Sequence, residues 1–233
     1  MSRRLPFSAP FFVQDPDHFG CYLEQDGKPF IASWTGDWAI FDFQNTSAIP
    51  EFMLRPLELS IEISSVWEQT KLVSFGTHAC IRLDETSPNT VIKIAHPTTR
   101  DRYLLHREFD MMRSLSGTGA VAKVDSEPLS DHAGTFGFRL EKLQRVEQGE
   151  LKRRIPEVKT LVDKIQGYGV CHGDCSPSNV MQNEQGQLVF IDLAFAGRLN
   201  SEVPKMIPRH VFPNGFFDGD LDYEKIEAWR NLR

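Results

Sequence analysis

The chain has only four cysteines in 233 residues. That is too sparse for the disulfide framework of a small secreted domain, and it fits a reducing compartment. No stretch of about 20 apolar residues occurs, so no membrane span is expected. Met1-Ser2-Arg3-Arg4 is basic, but Pro6, Pro10, Gln14 and Asp15 interrupt the next stretch of chain before an apolar core forms, and no secretory leader is read there. The expected location is the cytoplasm, with the nucleus as the alternative. An excess of positive charge is lacking too: 26 Lys and Arg against 32 Asp and Glu leave a formal charge of −6. A nucleic-acid partner, which normally selects a basic surface, is not expected, although Lys152-Arg153-Arg154 forms a local basic patch. Internal repeats and low-complexity tracts are absent. The chain does have 40% apolar residues, enough to bury a sizeable core in one two-lobed domain or two small ones.

The first sixty residues carry aromatics and turn signals between short apolar runs. Tyr22 to Gln25, Phe30 to Trp34 and Trp38 to Phe41 read as strands of a small antiparallel sheet, with turns at Asp26-Gly27 and Thr35-Gly36-Asp37. This segment is an extension packed on its neighbour or a module that binds a protein partner. From Leu57 the runs Leu59–Ile63, Lys71–Phe75, Ala79–Leu83 and Thr90–Ala95 read as strands, the last two joined by a turn at Ser87-Pro88-Asn89. A helix is expected from Thr99 to Leu115, closed by Ser116-Gly117. Two more strands are expected at Ala122–Asp125 and Thr135–Leu140. Beyond them there is room for one modest helix near Pro156 to Gly167, and a closing helix from Asp220 to Leu232 carries Tyr223, Ile226 and Trp229 on one side.

Two charged residues fall in apolar surroundings. Glu108 shares a helix face with Leu104, Met111 and Leu115, and Lys93 lies between Ile92 and Ile94. A buried carboxylate and a buried ammonium each need a partner, and the two satisfy each other if the helix packs on that sheet. Taken singly, each is more often a solvated residue. A second group lies further on. Cys171-His172-Gly173-Asp174-Cys175-Ser176-Pro177-Ser178-Asn179 is followed by the apolar run Leu188 to Ile191 and then Asp192. Phosphoryl transfer needs a group to orient the attacking hydroxyl and oxygen ligands for Mg²⁺, and Asp174, Asn179 and Asp192 suit those roles. Each alone also reads as a turn residue. Cys171, His172 and Cys175 lack the fourth ligand that zinc requires. The two cysteines flank Asp174, which makes thiol-reactive inhibition conceivable.

Asp174 and Asn179 are five positions apart and Asp192 lies thirteen further on, the spacing of the protein-kinase catalytic loop and its second metal aspartate. The chain therefore resembles the protein-kinase-like phosphotransferases. It has His-Gly-Asp where regulated protein kinases have His-Arg-Asp, as in aminoglycoside and choline kinases and some atypical protein kinases. The resemblance implies an α+β, two-lobed protein-kinase-like fold with a reduced C-terminal lobe. Residues 1–56 would be a β-rich extension, 57–142 the small lobe and 143–233 the reduced large lobe. It implies ATP and Mg²⁺ as cofactors, Asp174 as catalytic base, and Asn179 and Asp192 as metal ligands. Lys93 corresponds to the lysine that holds the phosphates, and Glu108 to its helix partner. Ser74, Gly76 and Thr77 fall at the phosphate loop, and Glu141 and Leu143 at the hinge whose backbone takes adenine. His172 corresponds to a histidine that holds the catalytic loop by hydrogen bonds.

Three departures from the family pattern shape the expected activity. Gly173 replaces the arginine that receives a phosphorylated activation loop, so that form of control is not expected. Asp192-Leu193-Ala194 replaces Asp-Phe-Gly, and Lys71 and Val73 stand where the loop's earlier glycines fall. The expected activity is transfer of the γ-phosphate of ATP to a hydroxyl. A small-molecule acceptor is favoured because a short large lobe offers little platform for a peptide. Acceptor contacts are expected after Gly197 and around Arg145 to Arg154. A protein Ser/Thr kinase is the alternative, and a pseudokinase acting as an interaction module is the second.

Overall fold

A computed structural model describes residues 8, 11–12, 18–35 and 54–231. Near the N-terminus, β2 (His18–Gln25) and β3 (Lys28–Thr35) form the expected hairpin. Its two-residue turn is Asp26-Gly27, at φ 50° and 75°, the left-handed pair that a type I′ turn requires and that Asp and Gly accept most readily. β1 (Phe11–Phe12) and β4 (Leu54–Pro56) flank the hairpin in a four-stranded antiparallel sheet of order β1-β2-β3-β4. The period of two gives this sheet two roles. Cys21, Leu23, Ala32 and Trp34 pack together on one face, while Tyr22 and Glu24 turn to the other and meet the next layer. The run Trp38–Phe41, with Gly36 and Asp37, lies outside the described residues.

The second sheet has five antiparallel strands in the order β5-β6-β7-β9-β8. They are β5 (Thr70–Phe75), β6 (Ala79–Asp84), β7 (Thr90–Ala95), β8 (Leu129–Asp131) and β9 (Gly134–Glu141). α1 (Ile61–Glu68) covers one face, where Ile63 and Trp67 pack against Cys80, Ile92, Ile94 and Phe136. α2 (Thr99–Ser114) covers part of the other, with Phe109 and Met112 in one cluster with Phe138 and Leu140.

The strand expected at Leu59–Ile63 is instead the start of α1. Ser60 is its N-cap, its Oγ accepting the Ile63 N–H at 3.3 Å, and Ile63 and Trp67, one turn apart, are buried while Ile61 is 86% exposed. Five alternating residues cannot distinguish a period of 2 from 3.6, so the cap decides. Ala122–Asp125 is also not a strand. Its main chain divides between the two lobes: Ala122 N–H donates to Phe190 O, while Asp125 N–H donates to Arg139 O, leaving only isolated bridges at Val121 and Val124. The edge strand beside β9 is β8, whose three residues are too few to show a period in the sequence.

Arg82, on β6, is the largest fully buried polar side chain of this layer, at 1% exposure. Its guanidinium donates to Thr70 Oγ1, Thr70 O and Trp67 O at 2.7, 2.9 and 3.1 Å, and to Glu24 Oε2 at 2.5 Å, and it stacks 3.9 Å from the Trp67 ring centroid. A buried guanidinium is tolerable only when its fork is filled and its charge is matched. Here the matching carboxylate comes from the N-terminal sheet, so the two sheets are tied by an ion pair as well as by packing.

Below the second sheet lie β10 (Gln144–Arg145), α3 (Gln148–Arg153), α4 (Ile155–Gly167), β11 (Val170–Cys171), β12 (Val180–Gln182), β13 (Leu188–Phe190), β14 (Gly197–Arg198) and α5 (Asp220–Ala228). α4 buries Val158, Leu161, Val162 and Ile165, as its spacing predicts. α5 buries Ile226, and Trp229 follows in a short 3-10 turn. α3 was not expected: with one buried residue, Leu151, in six, it carries no period to read. The result is an α+β, two-lobed architecture with a cleft between the lobes. No helix among the described residues is long and apolar enough to cross a membrane.

Asp131, at the end of β8, locks the β8–β9 hairpin to α2. Its carboxylate takes Arg102 Nη1 and Nη2 at 2.7 and 2.9 Å and Ala133 N–H at 2.9 Å. These bonds, Arg102 first, hold it well below the usual carboxylate range. A carboxylate depressed on folding contributes stability that is present above its unfolded pKa of about 3.9 and is lost as pH falls. We therefore expect Asp131→Asn to lower stability by about 1–2 kcal/mol at pH 7 and to flatten the acid limb below about pH 4, read by urea titration across pH.

Candidate active site

A short hairpin brings the three acid and amide groups together. β12 pairs with β13 in the register Val180↔Phe190, which sets Asn179 beside Ile191. The Ile191 N–H donates to Asn179 O at 3.0 Å, and Asp192 follows directly. The thirteen-residue separation is thus two three-residue strands and a turn whose Asn183 Oδ1 accepts the Gln185 and Gln187 N–H groups. Asp192 has φ 60° and ψ 60°, a left-handed conformation that costs a non-glycine residue about 1 kcal/mol or more and clusters at functional sites.

Lys93 crosses from the upper lobe. Its Nζ donates to both Glu108 oxygens, at 2.8 and 2.6 Å, and to Asp192 Oδ1 at 3.0 Å. Burial works against its charge, but the Asp192 and Glu108 carboxylates outweigh that and raise its pKa above the ordinary lysine value. Glu108, 2% exposed, is pushed up to about 7 by burial, with Lys93 pulling the other way. The Asp192 carboxyl is held below its ordinary value by Lys93. Asp192 remains 43% exposed on the cleft side, so it has ligand capacity left.

Asp174 is fixed from both sides. Asn179 Nδ2 donates to its carboxylate at 2.8 Å and to its carbonyl at 3.0 Å, which commits the amide nitrogen of Asn179 to Asp174. His172 bridges the two halves: Nδ1 accepts the Asp174 N–H at 3.2 Å, and Nε2 donates to Ile191 O at 3.0 Å. Beneath the loop, Asp222 of α5 is fully buried and accepts the His172 and Gly173 N–H groups at 2.7 and 2.9 Å. Lys225 bonds Gly173 O, and Trp229 Nε1 donates to Cys175 O at 3.0 Å. The closing helix is therefore the support of the Asp174 loop. Its apolar stripe is legible in the sequence, whereas Asp222, one of several acidic residues on that helix, carries no distinguishing signal.

Gly173 has φ +79°, and a Cβ there would lie 2.6 Å from Phe212 and 2.7 Å from Phe195 O. The position has no room for a side chain. Phe212 belongs to a cluster with Leu104, Cys171, Ile207 and Phe217, so the segment after Gly197 packs directly on the loop.

Two adjoining cavities fill the cleft. One of about 1040 Å³ is lined by Val73, Leu83, Glu141, Leu143 and Met181 among others, and one of about 300 Å³ by Gly76, Thr77, His78, Lys93, Asp174 and Asp192 among others; Ser74, Ile81, Arg145 and Ile191 line both. The predicted residues Ser74, Gly76, Thr77, Lys93, Asp174, Asp192, Glu141 and Leu143 thus all border the cleft. Glu108 sits behind Lys93, and Asn179 behind Asp174. Gly76 closes a tight turn, its N–H donating to Ala79 O at 2.7 Å, so that amide is not free to cradle an anion. His78 has no role in the sequence reading, and Arg145 enters it only as the start of the stretch expected to hold acceptor contacts. Arg145 spans both cavities, and His78 at the loop tip bonds Asp101 Oδ1 through Nδ1 at 2.8 Å. Both sit in segments of ordinary composition and gain meaning only from the cleft.

The donor set suits a hard divalent cation. The Asp192 carboxylate borders the smaller cavity, while Asn179 is buried behind Asp174; carboxylate and amide oxygens are ligand types that Mg²⁺ takes along with waters and phosphate oxygens. No group of three or more His, Cys, Asp and Glu that would hold a metal occurs among the described residues.

No protein-family model matches the chain, and no curated protein matches it in sequence. Solved structures do match. One is the structure of the CAK complex from Chaetomium thermophilum bound to ATP-gamma-S, at 16% identity and a TM-score of 0.46, over 59% of this chain and 50% of that one. This chain thus spans about half the length of the chain it matches there.

The cysteines beside Asp174 are not exposed nucleophiles. Cys171 and Cys175 are both 0% exposed, burial pushes the Cys171 thiol up to about 12 and raises Cys175 further, and a thiol so held is inert. All four cysteines are buried. We expect a chromogenic disulfide reagent to find none reactive in the native protein and all four once guanidinium unfolds it. We also expect Gly173→Ala to lower stability by about 2–4 kcal/mol through backbone strain and overpacking, measured by urea titration, and its loss to be less than additive with that of Phe212→Ala in a double-mutant cycle.

Proposed function

We propose that this chain is a kinase-like phosphotransferase that moves the γ-phosphate of ATP to a hydroxyl. The observation that carries the reading is the joint geometry of Lys93, Glu108, Asp192, Asn179 and Asp174 around one cleft. In this reading the larger cavity receives adenine along Glu141 to Leu143, and the triphosphate extends into the smaller one past Ser74 and Lys93. Asn179 and Asp192 would hold Mg²⁺, which would supply charge neutralisation at the phosphate oxygens. Asp174 accepts or orients the proton of the acceptor hydroxyl, with His172 and Asn179 fixing its direction. Lys93, kept protonated by two carboxylates, lies against the phosphates.

The acceptor is proposed to be a small molecule. Phe212 and Phe217 pack onto the Asp174 loop, and that close cover favours a compact hydroxyl compound over an extended peptide. Transfer of label from γ-labelled ATP to protein substrates, with none into a metabolite pool, would reverse this preference in favour of a protein kinase.

Mg-ATP at about 100 times its dissociation constant is expected to stabilise the protein by about 2.7 kcal/mol, read as a rise in melting temperature. Absence of any nucleotide-dependent shift would return the chain to the interaction-module reading. Asp174→Ala should retain Mg-ATP binding while turnover falls about 10²–10⁴-fold, whereas Asp192→Ala should lose Mg-dependent nucleotide binding. Full turnover by purified Asp174→Ala would remove it from the role of base.

A further inference from the structure

The phosphate loop, Gly76 to Ala79, lacks the run of glycines that would let its backbone wrap an anion, and its first amide is taken up inside the turn. Its shape is set by the groups that hold it from outside. His96, just past β7 and 4% exposed, grips it twice: the main-chain N–H donates to His78 O at 3.0 Å, and ring Nε2 donates to Gly76 O at 3.0 Å. A carbonyl only accepts, so Nε2 carries the proton. Burial favours this neutral ring by lowering the His96 pKa. The face of that ring is covered by Tyr22 of the N-terminal sheet, centroids 4.3 Å apart and planes 28° from parallel. Tyr22 is 5% exposed. Two residues along the same face of β2, Glu24 makes the ion pair with buried Arg82. The N-terminal sheet is thus anchored on the second sheet at two points, and one of them stands directly behind the loop.

We propose that Tyr22 and His96 are positioning residues for the nucleotide phosphates, and that the N-terminal sheet serves as an intramolecular clamp holding the Gly76–Ala79 loop in its binding form. This rests on the phosphotransferase reading for the identity of the ligand, but not for the clamp itself. The sheet then replaces, by contact from behind, the order that a glycine-rich loop acquires when its amides close on a phosphate. His78, tied to Asp101 at the start of α2, fixes the far side of the same turn. The clamp lies next to the smaller cavity, whose lining includes Gly76, Thr77 and His78, and away from the adenine side. Its loss should therefore fall on the phosphates and spare the base and sugar.

The test compares Mg-ATP with adenosine by calorimetry in the full chain carrying His96→Ala, His96→Gln or Tyr22→Leu. His96→Ala and Tyr22→Leu are expected to weaken Mg-ATP about tenfold and adenosine by less than about twofold, a loss of the size of one hydrogen bond or one aromatic contact. His96→Gln, whose side-chain amide supplies a donor close to the position of Nε2, should recover Mg-ATP to within about threefold of the parent on the same scale. Equal weakening of both ligands, or unchanged Mg-ATP affinity, would overturn the proposal. Hydrogen exchange at the Gly76 to Ala79 amides is read without nucleotide. It should quicken in His96→Ala and Tyr22→Leu and return in His96→Gln, and unchanged protection would overturn the clamp. Quickened exchange in a protein whose parent form binds no Mg-ATP would uphold the clamp and overturn the phosphotransferase reading.

Discussion

One ammonium group organises this molecule. Lys93 leaves β7 on the cleft face and is met by Glu108 from α2 and Asp192 from the end of β13. None of the three is favourable alone. An unpaired lysine or glutamate at this depth would bear a desolvation penalty of several kcal/mol, and the two carboxylates would repel each other without the cation between them. Once together they fix the position of α2 on the sheet and the approach of the two lobes. Asp192 itself sits in a left-handed conformation at this junction. The cleft and its charges thus depend on a contact between segments 15 and 99 residues apart in the chain.

A second constraint works from below. Asp222 takes two successive amides of the Asp174 loop, and Lys225 of the same helix and Trp229 of the turn after it donate to its carbonyls. Gly173 is where backbone strain and lack of space coincide. The resemblance read Gly173 as the loss of an arginine that answers a phosphorylated loop. The packing adds a reason of its own, since Phe212 and Phe195 O occupy the place where any side chain would begin. The loop is held by groups internal to the fold.

Legibility followed the length of the signal. α2 and α4, each with several apolar residues at helical spacing, are legible almost to their ends, and the Asp26-Gly27 turn named its own hairpin. Leu59–Ile63 is misleading because five residues fit either period and only the Ser60 cap separates them. Ala122–Asp125 is misleading because its backbone bonds go to partners far away in sequence. α3 and β8 are too short to show a pattern. Among the site residues, those with chemistry in an unusual setting stand out: Lys93 within a β-branched run, Glu108 within an apolar stripe, and two carboxylates at strand or loop ends. Arg82, Asp222, Arg145 and His78 do not, because each is unremarkable beside its sequence neighbours and becomes informative only through partners from other elements.

The division is physical. Periodicity, caps, turn residues and the types of ionisable group are local properties, and from them the sequence by itself determined most of the elements, while the α+β class and the roles of the candidate base and ligands came with the resemblance. Which charges meet is a property of packing. The tertiary structure alone decided that Lys93 serves two carboxylates, that Asn179 turns its amide nitrogen to Asp174, and that the closing helix carries the Asp174 loop. It alone also decided that the N-terminal sheet, which the sequence leaves as a neighbour or a partner module, stands behind the Gly76–Ala79 turn. Those outcomes rest on desolvation and on hydrogen-bond geometry between distant segments, and no window of the chain contains both partners.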